Sequence, residues 1–304
     1  MIYSCFDVGG TAIKVGLIDE KGSFQQRDLI PTPAEGGPGI VDSLCRIVRQ
    51  QQEKVPLAGI AISTAGIVNE EAGIVEYALS IPGYTGTPWK ERLESEFHLP
   101  VSVENDTNCA ALGEYWLGAG QGVSSFFAVT VGTSIGGAAV KDGKVLHGAT
   151  HAAGEIAYMR LPAGQFHDVA SAAFLCREIA KEKSVPEQDM DGYRAFQLIE
   201  RGDEPALRSF HTFCQNLADG LTNIISLFNP ERIVLGGGIM SREAVLRPPL
   251  ERALSERLPE RMLPPKGLAF AKLQNDAGLL GALYVLKNKE SLSARFPPTK
   301  RRPR

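Results

Sequence analysis

Two glycine-rich turns of one design, one in each half, constrain this chain more than any other feature. The first is Asp7-Val8-Gly9-Gly10-Thr11, between the apolar residues 2–6 and the stretch 13–18 with Val15 and Leu17. The second is Gly132-Thr133-Ser134-Ile135-Gly136-Gly137, between residues 126–131 and 138–140. Each reads as strand, tight turn, strand. Glycine lets a backbone come close to a phosphate, and successive N–H groups of such a turn can form an anion nest. A hairpin of this kind in each half predicts two lobes facing one nucleotide.

At 304 residues the chain is long enough for two domains with their own cores. The 43% apolar and 22% charged residues are those of an ordinary globular protein. A net charge of -3 gives no electrostatic case for nucleic acid or a membrane surface. No run reaches the roughly 20 apolar residues that span a bilayer. The N-terminus passes straight into a strand pattern without a signal core, so a cytoplasmic location is expected. Cys5, Cys45, Cys109, Cys176 and Cys214 are widely spaced and form no Cys-x-x-Cys pair, which reads as buried free thiols.

Strand and helix patterns alternate, which argues an α/β fold. Residues 40–54 carry Ile40, Val41, Leu44, Ile47 and Val48 at helical spacing. Residues 57–63 read as a buried strand, 101–104 as another ending at Asn105-Asp106, and 107–117 as a helix. Gly118-Ala119-Gly120-Gln121-Gly122 is a candidate hinge. This gives an N-terminal lobe over 1–117 and a C-terminal lobe over 118–275, with the closing helix 276–288 packing back on the first lobe. A helix is predicted over 204–228, with Asp203 as its cap, Pro205 in its first turn and Asn229-Pro230 after it. A strand at 233–235 runs into Gly236-Gly237-Gly238, and residues 268–273 read as the last strand. Residues 289–304 read as a disordered basic tail.

The first turn lacks the Gly-Lys-Ser/Thr of a Walker loop and the spacing of a dinucleotide fingerprint. Asp7 could hold a metal-bound water, and Thr11 and Lys14 could meet phosphate oxygens; the alternative is an ordinary hairpin with Lys14 solvated. Gly236-Gly237-Gly238 would give a base and ribose close access to the backbone, or simply turn the chain from strand to helix. Asn105-Asp106 ends a strand, where α/β proteins place ligands. A carboxylate there can take the proton of an attacking hydroxyl, and the amide can fix a second hydroxyl. Taken alone, Asp106 as a helix N-cap is the commoner role. Glu155 could accept hydrogen bonds from sugar hydroxyls, and His167 stands as a hydrogen-bonding group of a pocket or of the core. His147, His151 and His167 lie near one another in sequence and raise a metal site, but with no cysteine beside them no zinc site is expected.

Together these motifs resemble the ROK family, named for repressors, open reading frames and kinases, over residues 3–287. Ser63-Thr64-Ala65-Gly66, Glu104-Asn105-Asp106, Gly154-Glu155-Ile156 and Asn275-Asp276-Ala277-Gly278 join the glycine turns in that order and spacing. The resemblance implies an actin-like ATPase (ribonuclease H-like) fold, with two lobes, a central cleft for the sugar and a nucleotide site on the second lobe. It implies a kinase that uses ATP and Mg²⁺. Asp106 would be the base that activates a sugar 6-hydroxyl, with Gly66, Asn105, Glu155 and His167 holding the sugar. Asp7, Gly9, Gly10, Thr11, Lys14, Gly132, Thr133 and Gly237 would line the nucleotide site. Family members are often dimers, so a homodimer with no nucleic-acid or membrane partner is expected.

Four departures from the family pattern are present, the first three of which bear on the substrate. Most members carry Glu-x-Gly-His and then a Cys-x-Cys-Gly-x-x-Gly-Cys zinc segment. Here the first reads Glu155-Ile156-Ala157-Tyr158 and the second is absent. The family's second sugar-binding glutamate falls on His167, and Ser134 stands where glycine is usual. This resembles a zinc-free branch that contains N-acetylmannosamine kinases and β-glucoside kinases. The expected activity is therefore phosphorylation of a hexose or N-acetylhexosamine, N-acetylmannosamine first, with glucokinase or β-glucoside kinase as the alternative. A sugar-responsive regulator and a sugar-binding protein without catalysis are the readings of another class.

Overall fold

The computed structural model of the protein describes residues 1–295. It divides into two compact units, Met1–Trp116 with the segment from Asn275, and Leu117–Gln274.

The first unit is built on a sheet of five strands, β1 (Ile2–Val8), β2 (Ala12–Asp19), β3 (Phe24–Pro31), β4 (Leu57–Thr64) and β5 (Val101–Asn105). Their order is β3-β2-β1-β4-β5. The first three are antiparallel neighbours, whereas β4 joins β1 and β5 joins β4 in parallel. Strands β1 and β4 are covered on both faces, which is why they read as near-continuous apolar runs. Strand β3 is the exposed edge, and Gln25, Gln26, Arg27, Asp28 and Pro31 make it a poor template for further pairing. Helix α1 (Gly37–Gln52) buries Ile40, Val41, Leu44 and Val48 along one stripe. Helices α2 (Trp89–Phe97) and α3 (Asp106–Leu117) follow. The C-terminal helix Ala277–Arg295 lies against β1, β4 and β5. It crosses α3 so closely that a Cβ on Gly281 would stand 1.7 Å from the Cys109 carbonyl oxygen, so only glycine fits there. This helix runs past the boundary expected at 288, and the expected basic tail lies outside the described residues from position 296 on.

The second unit repeats the plan. Strands β6 (Ser125–Val131), β7 (Ile135–Lys141), β8 (Lys144–Val145), β9 (Arg232–Gly236) and β10 (Leu268–Phe270) lie in the order β8-β7-β6-β9-β10. Again the first three are antiparallel, and two parallel strands extend the sheet. Helices α4 (Phe166–Ala170), α5 (Ala172–Glu182), α6 (Gly192–Glu200), α7 (Glu204–Phe228) and α8 (Glu243–Arg257) complete it. Helix α7 has the bounds its caps dictate. The Asp203 side chain accepts the Ala206 N–H, and Asn229 ends the helix in the left-handed conformation at φ 47°. Strand β10 stops at Phe270, short of the expected 273, because its partner β9 turns away at Gly236. Each unit has its own apolar core, one around Phe6, Ile40, Ile60 and Trp89, the other around Val129, Phe166, Phe213 and Leu235.

Candidate functional site

In the first unit the parallel register gathers polar residues at one end of the sheet. Asp7 lies opposite Ser63, Ser63 opposite Glu104, and Thr64 opposite Asn105. These are the C-terminal ends of three parallel strands, the place where open α/β sheets bind ligands. Asp7 is held from two sides. The Ser63 hydroxyl donates to one carboxylate oxygen at 2.7 Å, and the Lys14 ammonium donates to the other at 2.9 Å. Lys14, expected to meet a phosphate, is thus paired with Asp7. A Cβ on Gly278 would come within 3.0 Å of the Asp7 carboxylate, so the start of the C-terminal helix closes over it.

The turn after β1 is tied internally. The Gly9 N–H donates to the Ala12 carbonyl at 3.1 Å, and the Thr32 hydroxyl donates to the Gly9 carbonyl at 2.7 Å. The exposed part of the turn is Gly10-Thr11.

At the corner between β5 and α3, capping falls to Asn105 rather than Asp106. The Asn105 side-chain oxygen accepts the N–H groups of Thr107 at 2.9 Å and Asn108 at 3.0 Å. Its amide donates to the Gly66 carbonyl at 2.9 Å. Asn105 therefore has one amide proton beyond those bonds with which to meet a ligand. Asp106 is the first helical residue, half-buried, and its carboxylate accepts the Thr107 N–H at 2.6 Å. Beneath the corner, the buried Glu104 carboxylate accepts the Asn105 N–H and the Asn108 amide. The Tyr84 and Thr64 hydroxyls hydrogen-bond to each other close by, both buried. Gly66 turns at φ 105°, where a Cβ would stand 2.7 Å from the Tyr77 carbonyl oxygen. Burial pushes the Cys109 thiol well above its ordinary range, so it stays protonated beside these carboxylates.

In the second unit the turn after β6 meets the strand end at Gly236. The Gly132 N–H donates to the Ser134 carbonyl, and the Gly132 carbonyl accepts the Ala172 N–H at the start of α5, both at 2.9 Å. Gly237 sits at φ 105°, where a Cβ would lie 2.2 Å from the Val131 carbonyl oxygen. Two motifs far apart in sequence are therefore in direct backbone contact. They open a cleft of about 360 Å³, lined by Gly132, Thr133, Tyr193, Gly238, Ile239 and Arg242 among others.

Glu155 and His167 do not line this cleft. The Gly154-Glu155 segment lies on strand β7, where a Cβ on Gly154 would stand 2.3 Å from the Gly137 carbonyl oxygen. Partial burial raises the Glu155 carboxyl above its ordinary value even though the residue as a whole is exposed. His167 lies on α4, with Nε2 3.3 Å from Asp168. Among the described residues no cluster of three or more His, Cys, Asp or Glu side chains could hold a metal ion. Sequence reasoning passed over Ser63, Tyr193 and Arg242. Only the first carried a signal, as part of the Ser-Thr-Ala-Gly motif.

Comparison with known proteins bears on all of this. The family model described as the ROK family matches residues 3–289. A β-glucoside kinase of Listeria innocua is 32% identical over 96% of this chain and 99% of its own length. Among solved structures, a candidate N-acetylmannosamine kinase of Listeria monocytogenes superposes with a TM-score of 0.84 at 31% identity, covering 95% of this chain and 100% of that one. A ROK family glucokinase of Streptomyces griseus, solved with glucose and AMPPNP, has a TM-score of 0.81 at 27% identity, over 95% and 100% of the two chains. The α/β, actin-like fold expected from the sequence is the one shared with these kinases.

Proposed function

This chain belongs to the ROK family and is a sugar kinase, and on that premise we propose that it transfers the γ-phosphoryl group of ATP to the 6-hydroxyl of N-acetylmannosamine. The observation that carries the reaction type is the corner at Asn105-Asp106. Asn105 does the capping, so the Asp106 carboxylate is not required for it. As the sugar oxygen attacks the γ-phosphorus, Asp106 accepts the hydroxyl proton while the bond to the bridging oxygen of ADP breaks. Positioning of the sugar supplies much of the rate. The remaining amide proton of Asn105, the second lone pair of the Gly66 carbonyl, Glu155 and His167 are the groups assigned to the other hydroxyls.

The exposed backbone at Gly10-Thr11 in the first unit and, in the second, that at Thr133 with Gly132 and Gly237 near it are each assigned to the nucleotide. Asp7 fits Mg²⁺ chemically. It is a hard oxygen donor, and because Ser63 and Lys14 each engage one oxygen, the lone pairs left over suit a metal-bound water better than the ion itself. Such an ion neutralises phosphate charge when bound.

N-acetylmannosamine is placed first on the Ser63-Thr64-Ala65-Gly66 motif and on the Listeria structural neighbour. Glucose and β-glucosides follow, from the names of other relatives. Sugar-dependent ADP release with ATP and Mg²⁺ decides between them, across N-acetylmannosamine, N-acetylglucosamine, glucose, mannose, fructose and cellobiose. Highest kcat/KM on N-acetylmannosamine is expected. Preference for glucose or cellobiose moves the substrate and keeps the chemistry, and silence across the panel removes the proposal. The proposal includes a cytoplasmic homodimer without nucleic-acid or membrane partners. Among the described residues no helix is long and apolar enough to cross a membrane. Light scattering on the purified chain tests the dimer.

A further inference from the structure

The cleft of the second unit is a slot with flat walls. Tyr193 opens helix α6 and leaves 65% of its surface exposed. The Arg242 guanidinium lies over its ring, 5.7 Å from the centroid, within the range of a cation–π contact. Arg242 is anchored there by Glu200 at 3.3 Å. Buried Phe196 and Ile239 form apolar floor and wall. Gly238 has open space where a side chain would stand. This is a surface that offers planar, polarizable faces to a planar ligand.

The edges are different. Adenine is told from guanine above all by Asn and Gln amides, which pair with its N6 and N7 edge. No side chain of these kinds is among the residues lining the cleft. Of the polar side chains there, Ser241 donates to the Gly238 carbonyl and one Arg242 nitrogen to Glu200, while the Thr133 and Tyr193 hydroxyls can donate or accept and so suit either purine. Stacking tolerates any base, because every base has a π-face.

We infer that this slot takes the base of the phosphoryl donor by its faces, between the Tyr193–Arg242 platform and the Ile239 side, and that the chain accepts GTP and ITP as well as ATP. The inference rests on reading this unit as the nucleotide-binding one. An adjoining cavity of about 350 Å³ shares Thr133, Ala172 and Gly192 with the slot and does contain a carboxylate, Glu187. It is the competing place for the base.

The test is competition of unlabelled ADP, GDP and IDP against a fluorescent ADP analogue on the full chain, followed by sugar-dependent turnover with ATP, GTP and ITP. The three diphosphates are expected to bind within about tenfold of one another. Tyr193→Ala weakens all three about tenfold and by equal factors, the loss expected for one base–aromatic stack. Tyr193→Phe, which keeps the ring and drops the hydroxyl, recovers most of that affinity. A preference for ADP over GDP beyond about 100-fold means the base edge is read, and overturns the inference. So does a Tyr193→Ala variant that binds normally, or a Glu187→Ala variant that loses affinity and changes the ADP-to-GDP ratio. Nucleotide binding as expected without turnover on any sugar sinks the kinase proposal and leaves the slot. Absence of nucleotide binding sinks both.

Discussion

The two sheets have one topology and opposite contents at their strand ends. In the first unit, β1, β4 and β5 end with Asp7, Ser63, Thr64, Glu104 and Asn105 in register. In the second, the equivalent β6, β9 and β10 end at Val131, Gly236 and Phe270. The first set holds carboxylates and hydroxyls in fixed hydrogen bonds, which suits proton transfer and metal-bound water. The second ends in apolar residues and a glycine, with Gly237 and Gly238 following, which leaves backbone open to a flat ligand. The order of strands therefore fixes where a ligand can go, and the side chains at their ends fix what is done to it.

The strongest way to break this contrast is Asp106→Asn. If the first unit carries the proton transfer, kcat falls by about 10³-fold, within the range for loss of a general base. Sugar affinity, read by calorimetry, stays close to that of the parent. Near-parent kcat would remove Asp106 from the chemistry and leave the first unit a binding surface only.

Gly237→Ala tests the opposite side of the comparison. The new methyl would stand 2.2 Å from the Val131 carbonyl oxygen at φ 105°. Strain and clash together are expected to cost about 3 kcal/mol, lowering Tm by roughly 10 °C. Nucleotide KM should rise while sugar affinity holds. Thermal unfolding with and without ADP measures both, and an unchanged Tm would mean the backbone contact between the two glycine motifs is not tight.

Ser63→Ala is the smaller test of the first unit. It removes one of the two donors that fix Asp7. Loss of a hydrogen bond to a charged group predicts a kcat about tenfold lower, with the Mg²⁺ concentration for half-maximal rate raised. An unchanged Mg²⁺ titration would separate Asp7 from the metal.

Much of this was open to a reading of the chain. Helix α7 is delimited by local chemistry, Asp203, Pro205 and Asn229, and local chemistry is what sequence shows best. Both glycine hairpins and the strand-to-helix corner at residue 105 are local too. The pairing of Ser63 with Asp7 is not, because it depends on the register of two parallel strands 56 positions apart. The capping role belongs to Asn105 because its side chain reaches two N–H groups ahead, whereas Asp106 already stands inside the helix. Either residue type caps well, so composition alone does not choose between them. Tyr193 and Arg242 meet only because α6 and the chain after β9 pack on one core. Neither residue carries a motif.

The smallest effect concerns Glu155. Its carboxyl is raised in the folded protein by partial burial, so the folded state binds a proton more tightly than the unfolded chain does. The charged form therefore opposes folding, fully so above the raised value, and the opposition fades as pH falls through that value towards the unfolded value near 4.5. Glu155→Gln, which never ionises, should be slightly more stable than the parent at pH 7 without sugar. The gain should vanish near pH 4, where both proteins are largely neutral at this position. Solvent reaches the residue, so the effect on Tm is expected to be small. Thermal unfolding of both proteins at the two pH values checks it. A parent more stable than the variant at pH 7 would mean the carboxylate has a partner that stabilises its charge, and that the second unit, like the first, fixes its acid before a ligand arrives.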